Sequence, residues 1–302
     1  MKQDSQLFGT EKISKILWKM APPVMLAQLI QALYNIVDSF FVGRYSESGL
    51  TALSIIYPIQ LLMIAFAVGT GVGINTCMAH YLGLSEDEKA DEIGGIGTPL
   101  TLFMWTVFAV FCYFFMPAYA KMSTDSAEVI KEVVMYGRIV CVFSFGLFLE
   151  SIWTKILQAN GDMKTPMIAQ IAGAVTNIIL DPLLIFGMFG LPKMGIAGAA
   201  LGTLIARLFE AGMICGYLLL KDEKIGFRVK HLGMKTADLL GEYIRISIPV
   251  LISDGILAIG NNTVAMVIGR LGVTFVAANA ITSVTQQLST AVSYTHLRAH
   301  ET

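Results

Sequence analysis

Long apolar runs dominate the chain, separated by short polar connections. A run of roughly 20 residues can cross a bilayer as a helix. Eight such spans are predicted, at about 14–42, 52–80, 94–117, 133–158, 166–188, 195–220, 242–269 and 273–291. The connections are short except for 221–241, which is polar and basic. Residues 292–302 break the pattern, turning abruptly polar as VSYTHLRAHET after an apolar helix. That tail resembles the translation of sequencing-adapter DNA. His296 and His300 are therefore set aside as ligands, and the natural chain is expected to continue past Ala291.

Composition supports the same picture. The chain is 55% hydrophobic and 14% charged, far less charged than a soluble domain of this length. Its formal net charge of -1 argues for no nucleic-acid or polyanionic partner. Cys77, Cys112, Cys141 and Cys215 all lie in apolar stretches without CxxC or Cys/His spacing, which predicts buried free thiols. The first run is too long for a cleavable signal peptide and is interrupted by Gln28, Gln31, Asn35 and Asp38. With the N-terminus in the cytoplasm, the inward segments hold roughly twice as many Lys and Arg as the outward ones. An all-α, multi-pass membrane protein with a cytoplasmic N-terminus is expected.

The chain also repeats itself. At an offset of 226 residues Pro23 falls on Pro249, Asn35 on Asn261, Gly43 on Gly269 and Arg44 on Arg270, with no gap. Six spans separate the two starts, so both copies begin on the same side of the membrane. That is a parallel repeat about the membrane normal, as in several secondary transporters. Two copies imply roughly 450 residues and twelve helices in two pseudo-two-fold-related lobes. Residues 1–220 would form the N-lobe, 221–241 a cytoplasmic inter-lobe loop, and 242–291 the start of the C-lobe.

Asp38 and Asp181 stand inside otherwise apolar predicted spans. An ionisable side chain there costs on the order of 3 kcal/mol on insertion scales and marks a functional position by default. Asp38 lies four residues below the outer end of the first span, and Asp181 about seven below that of the fifth. Gln31, Tyr34 and Asp38 share one helical face, as do Asn177 and Asp181. Thr203 and Tyr136 are predicted at similar depth, so the four helices could meet at one site. Two acids withheld from water titrate as a unit, which suits proton coupling.

Plainer readings stand beside these. Asp38 and Asp181 could be hydrogen-bonding glue between helices. Tyr136 could be an interfacial belt aromatic, and Thr203 part of the small-residue packing face of Gly195, Gly198, Ala199 and Gly202. Pro22 and Pro23 predict a bend in the first span, either a hinge or a static kink. Asp254 is a second-lobe candidate. Glu210 has Arg207 three residues before it and can be neutralised by it. Glu150 is expected to snorkel toward the cytoplasm, and the acidic stretch 86–92 to be a solvated loop. The glycine-rich segment at 69–73 lacks a following Lys-Ser/Thr and is read as helix packing.

The first span, APPVMLAQLIQALYNIVDSFFVGR, resembles the multidrug and toxic compound extrusion (MATE) family. LQANGDMKTPM, TNIILDPLLIFG and GIAGAALGTLIAR follow in the family's order. The N-terminal half is nearest the DinF-like bacterial branch. The resemblance implies a twelve-helix secondary antiporter in the bacterial cytoplasmic membrane, monomeric when full length. It would export amphipathic, cationic compounds in exchange for H+ or Na+, with no other cofactor and no enzymatic activity. By resemblance Asp38, Asp181, Asn177, Thr203 and Tyr136 carry the coupling ion, Gln31 and Tyr34 line the substrate cavity, and Pro23 is the hinge. A lipid-linked oligosaccharide flippase of the same superfamily is the alternative, and would need a more cationic cavity. A membrane enzyme acting on lipids is the third reading, but no catalytic cluster at an interface supports it.

Overall fold

The computed structural model describes residues 13–220 and discontinuous stretches within 241–267. The eighth span, the tail, Asp254, residues 221–240 and most of the second repeat copy lie outside the described residues. Within them the chain is helical throughout: α1 (Ile13–Tyr45), α2 (Glu47–Gly83), α3 (Asp87–Ser123), α4 (Ala127–Val142), α5 (Phe145–Ala159), α6 (Lys164–Phe186) and α7 (Ile196–Leu220). Five of these are long and apolar enough to cross a membrane, and α4 with α5 forms a sixth, bent span. This is a membrane protein.

Local chemistry sets the helix ends. Ser46 alone separates α1 from α2, and its hydroxyl accepts from the Gly49 amide at 3.1 Å to cap the second helix. Before α6, Asp162 accepts from the amides of Lys164 (3.1 Å) and Thr165 (3.0 Å) and from the Thr165 hydroxyl (2.7 Å). The GDMKT segment is thus a helix start. Gly187 ends α6 in the left-handed conformation, φ +73°. The amides of Met194 and Gly195 then return to the carbonyls of Leu184 and Ile185, folding α7 back along α6.

Two expectations are corrected. The predicted continuous span 133–158 is broken after Val142, and α4 and α5 meet at a bend of 40°. Freed carbonyls find side-chain donors there: the Ser144 hydroxyl bonds Cys141 O at 2.7 Å, and Trp105 Nε1 bonds Val142 O at 3.1 Å. The acidic stretch 86–92 is the helical start of α3, not a loop, with Asp87 and Glu88 in the first turn, where the helix dipole favours them.

Helix α2 packs against α3, α4 and α5, while α6 lies between α1 and α7. One buried cluster surrounds Ile56, Met116, Tyr136 and Phe148, and a second surrounds Ile74, Ile152, Ile156 and Ile214. Phe103, Val107, Phe111 and Phe114 instead stay exposed on α3, as a lipid-facing surface requires. Small residues allow the closest approaches. A Cβ on Gly198 would lie 2.5 Å from Leu184 O, and one on Gly71 2.7 Å from Lys155 Cγ. The glycine-rich segment of α2 is a packing face, as its sequence suggests.

Candidate functional site in the helix bundle

Asp38 and Asp181 are both buried, 6% and 0% exposed, and near enough to interact electrostatically. Helix α6 sets Asn177 one turn before Asp181, and its Nδ2 donates to Asp181 Oδ1 at 3.1 Å. Three further oxygens, Asp38 Oδ1, Asp181 Oδ2 and Asn177 Oδ1, are buried without a hydrogen-bond partner. Leaving such an atom unpaired costs about 1–3 kcal/mol, more for a charged group. A proton or a small cation among them would remove that cost.

An adjoining cavity opens between α1, α2, the α4–α5 bend and α7. Gln31, Tyr34 and Asn35 line it from α1, Tyr57 and Gln60 from α2, and Thr203 and Arg207 from α7. Gln31, Tyr34 and Thr203 thus face one space, while Asp38 and Asp181 lie outside its lining. Thr203 also borders a smaller pocket shared with Asn177 and Glu210. It faces these openings, whereas Gly198, Ala199 and Gly202 form the packed side of α7.

Tyr136 is not an interfacial aromatic. It is 1% exposed, its hydroxyl lies 3.4 Å from Gln60 Nε2, and it interacts electrostatically with Asp38 and Asp181. Pro23 sits inside α1, half-buried. Glu150 does not snorkel: it is 4% exposed and accepts from the Thr154 hydroxyl at 2.9 Å and Gln170 Nε2 at 3.3 Å. Two donors replace the water it loses.

Three features were beyond the sequence reading. Arg207 does pair with Glu210, Nη1 to Oε2 at 2.8 Å, but it also donates through Nη2 to the Tyr34 hydroxyl at 2.6 Å, tying α7 to α1. Tyr57 and Gln60 contribute the α2 wall; a polar pair one turn apart in an apolar run was the available signal. Gly202 leaves the space that Asp181 occupies.

The MatE family model matches residues 23–183, more than half of the chain. The chain belongs to the MATE family. A probable multidrug resistance protein of Bacillus subtilis, YoeA, is 27% identical over 253 residues, 83% of this chain and 55% of that protein. The multidrug export protein MepA of Staphylococcus haemolyticus is 28% identical over 250 residues, 82% of this chain and 54% of that one. The chain spans about half the length of the curated relatives it matches. Among solved structures, that of the MATE multidrug transporter DinF-BH superposes with a TM-score of 0.88 at 22% identity, covering 96% of this chain and 65% of that one. MATE structures have a two-lobe, twelve-helix fold, and this chain matches part of it.

Proposed function

We propose that this MATE chain carries the N-lobe and the start of the C-lobe of a secondary antiporter in a bacterial cytoplasmic membrane, its N-terminus in the cytoplasm. The transporter exports amphipathic, cationic compounds in exchange for H+ or Na+ by alternating access. The ion enters from outside and occupies the site of Asp38, Asp181 and Asn177, with Thr203 and Tyr136 beside it. The substrate occupies the cavity bordered by Gln31 and Tyr34. Ion occupancy favours a conformation in which α1 bends near Pro23, because only differential binding to two states lets a gradient drive transport. Full length, the protein works as a monomer and needs no other cofactor.

The observation that carries this reading is the set of three buried oxygens without partners on Asp38, Asp181 and Asn177, near a cavity bordered by Gln31, Tyr34 and Thr203. Protein donors leave these oxygens free, and a cation satisfies them. The multidrug-export relatives support the drug class. The flippase alternative requires a cationic cavity. Arg207 is the one basic side chain among the residues that line this one, and Glu210 pairs with it.

Asp38→Asn in the full-length protein, reconstituted in proteoliposomes, tests the proposal. Ion-driven export of a cationic dye is expected to disappear while the protein still folds and binds the dye. Full export by this variant would overturn the mechanism.

A further inference from the structure

A second cluster of ionisable groups lies below the aspartate pair. Arg207 is held between α7 and α1 by Glu210 and Tyr34. Glu150 on α5 lies within electrostatic range of both Arg207 and Glu210. One turn of α6 separates the two carboxylates: Gln170 donates to Glu150, and Gly173 lies so close to Glu210 that any side chain there would overlap its carboxyl group. Both glutamates are buried, 4% and 2% exposed.

With all three groups ionised, Glu210 pairs with Arg207, Glu150 stands within electrostatic range of both, and together they carry a net charge of -1. A net charge held out of water is costly, and a single proton removes it. Other ionisable groups in electrostatic reach of the cluster include Tyr34, with Asp38 one turn beyond on α1, and Tyr57 on α2, which interacts with Tyr34. Helix α6 presents Gln170 and Gly173, which carry no charge.

We propose that Glu210, paired with Arg207 and flanked by Glu150, is a second proton-binding site that holds one exchangeable proton. Its place in transport rests on the proton-coupled reading above; its existence does not. With the N-terminus inside, α6 starts at the cytoplasmic face. Gln170 is then eleven residues, roughly 16 Å, nearer that face than Asp181. Tyr34 and Arg207 connect the two sites, since Tyr34 interacts electrostatically with Asp38, Arg207 and Glu210. The inner site would receive protons that leave the aspartate pair and pass them toward the cytoplasm.

Infrared titration of the full-length protein tests this, following the carbonyl stretch of protonated carboxylic acids in H2O and D2O. In an Asp38→Asn/Asp181→Asn background a titrating band is expected to persist, and adding Glu210→Gln or Glu150→Gln is expected to diminish it. The Glu150→Gln arm guards against misfolding, because Thr154 and Gln170 can bond an amide as they bond the acid. Absence of the band in the double variant, or a band unchanged by both glutamate substitutions, would overturn the proposal. Export measured separately in Asp38→Asn keeps the readings apart. A band that persists while Asp38→Asn transports normally supports the inner site and rejects the aspartate mechanism.

Discussion

Gly202 of α7 and Asp181 of α6 are fitted so closely that a Cβ on Gly202 would lie 2.8 Å from Asp181 Oδ1, the oxygen that accepts from Asn177. A methyl group there must push the carboxyl group away from its donor. Gly202→Ala is expected to lower ion-driven export at least about tenfold, which corresponds to roughly 1.4 kcal/mol. Gly198→Ala is the control: its Cβ would meet backbone, Leu184 O at 2.5 Å, so thermal stability should fall more than in Gly202→Ala. Dye export and thermal unfolding of the purified full-length protein separate the two effects.

Asn177 is expected to distinguish sodium from proton coupling. Its unpaired Oδ1 can serve as a ligand to sodium, whereas a proton needs only a carboxylate. Asn177→Ala is expected to raise the sodium concentration for half-maximal export about tenfold, a loss of roughly 1.4 kcal/mol. Proton-driven export should change by no more than about twofold on the same scale. Dye efflux under imposed sodium or pH gradients measures both. An unchanged sodium requirement would remove Asn177 from the ion site.

Trp105 is expected to hold the α4–α5 bend. Its indole nitrogen bonds the Val142 carbonyl at 3.1 Å, just where the helix breaks. Trp105→Phe keeps most of the apolar ring and deletes only the donor, so stability should fall by about 1–2 kcal/mol. Chemical denaturation in detergent would register that loss, and wild-type stability would show that the bend does not depend on the bond.

Pro23 lacks an amide hydrogen, which weakens α1 at that point. Pro23→Ala restores a helical donor. Stability is expected to be equal or higher, dye affinity to change by less than about twofold, and turnover to drop severalfold if bending at this position accompanies each cycle. Binding measured by dye fluorescence, set against export rate, separates a hinge from a static kink: a kink leaves turnover unchanged.

Within the described residues, the sequence alone determined where six membrane spans lie and which of their positions are polar. Both are local properties, set by the hydropathy of about 20 consecutive residues and by the helical repeat. The shared face of Gln31, Tyr34 and Asp38, and the adjacency of Asn177 and Asp181, follow from spacing along one helix. The pairing of Arg207 with Glu210 three residues on is local for the same reason. The break after Val142 had no such signal, because residues 140–145 contain neither Pro nor Gly and the freed carbonyl is satisfied by Trp105 from another helix.

Tertiary structure decided everything that joins separate helices. Tyr34 and Arg207 are 173 residues apart, yet their side chains meet at 2.6 Å. Glu150 is buried and accepts from Gln170 of α6 rather than reaching water, a contact between separate helices. Tyr136 of α4 comes within electrostatic reach of Asp38 on α1 and Asp181 on α6, a meeting of three separate helices. Helical periodicity states which way a side chain leaves its own helix. Only the packing of small residues, which sets how closely two helices approach, states what it meets.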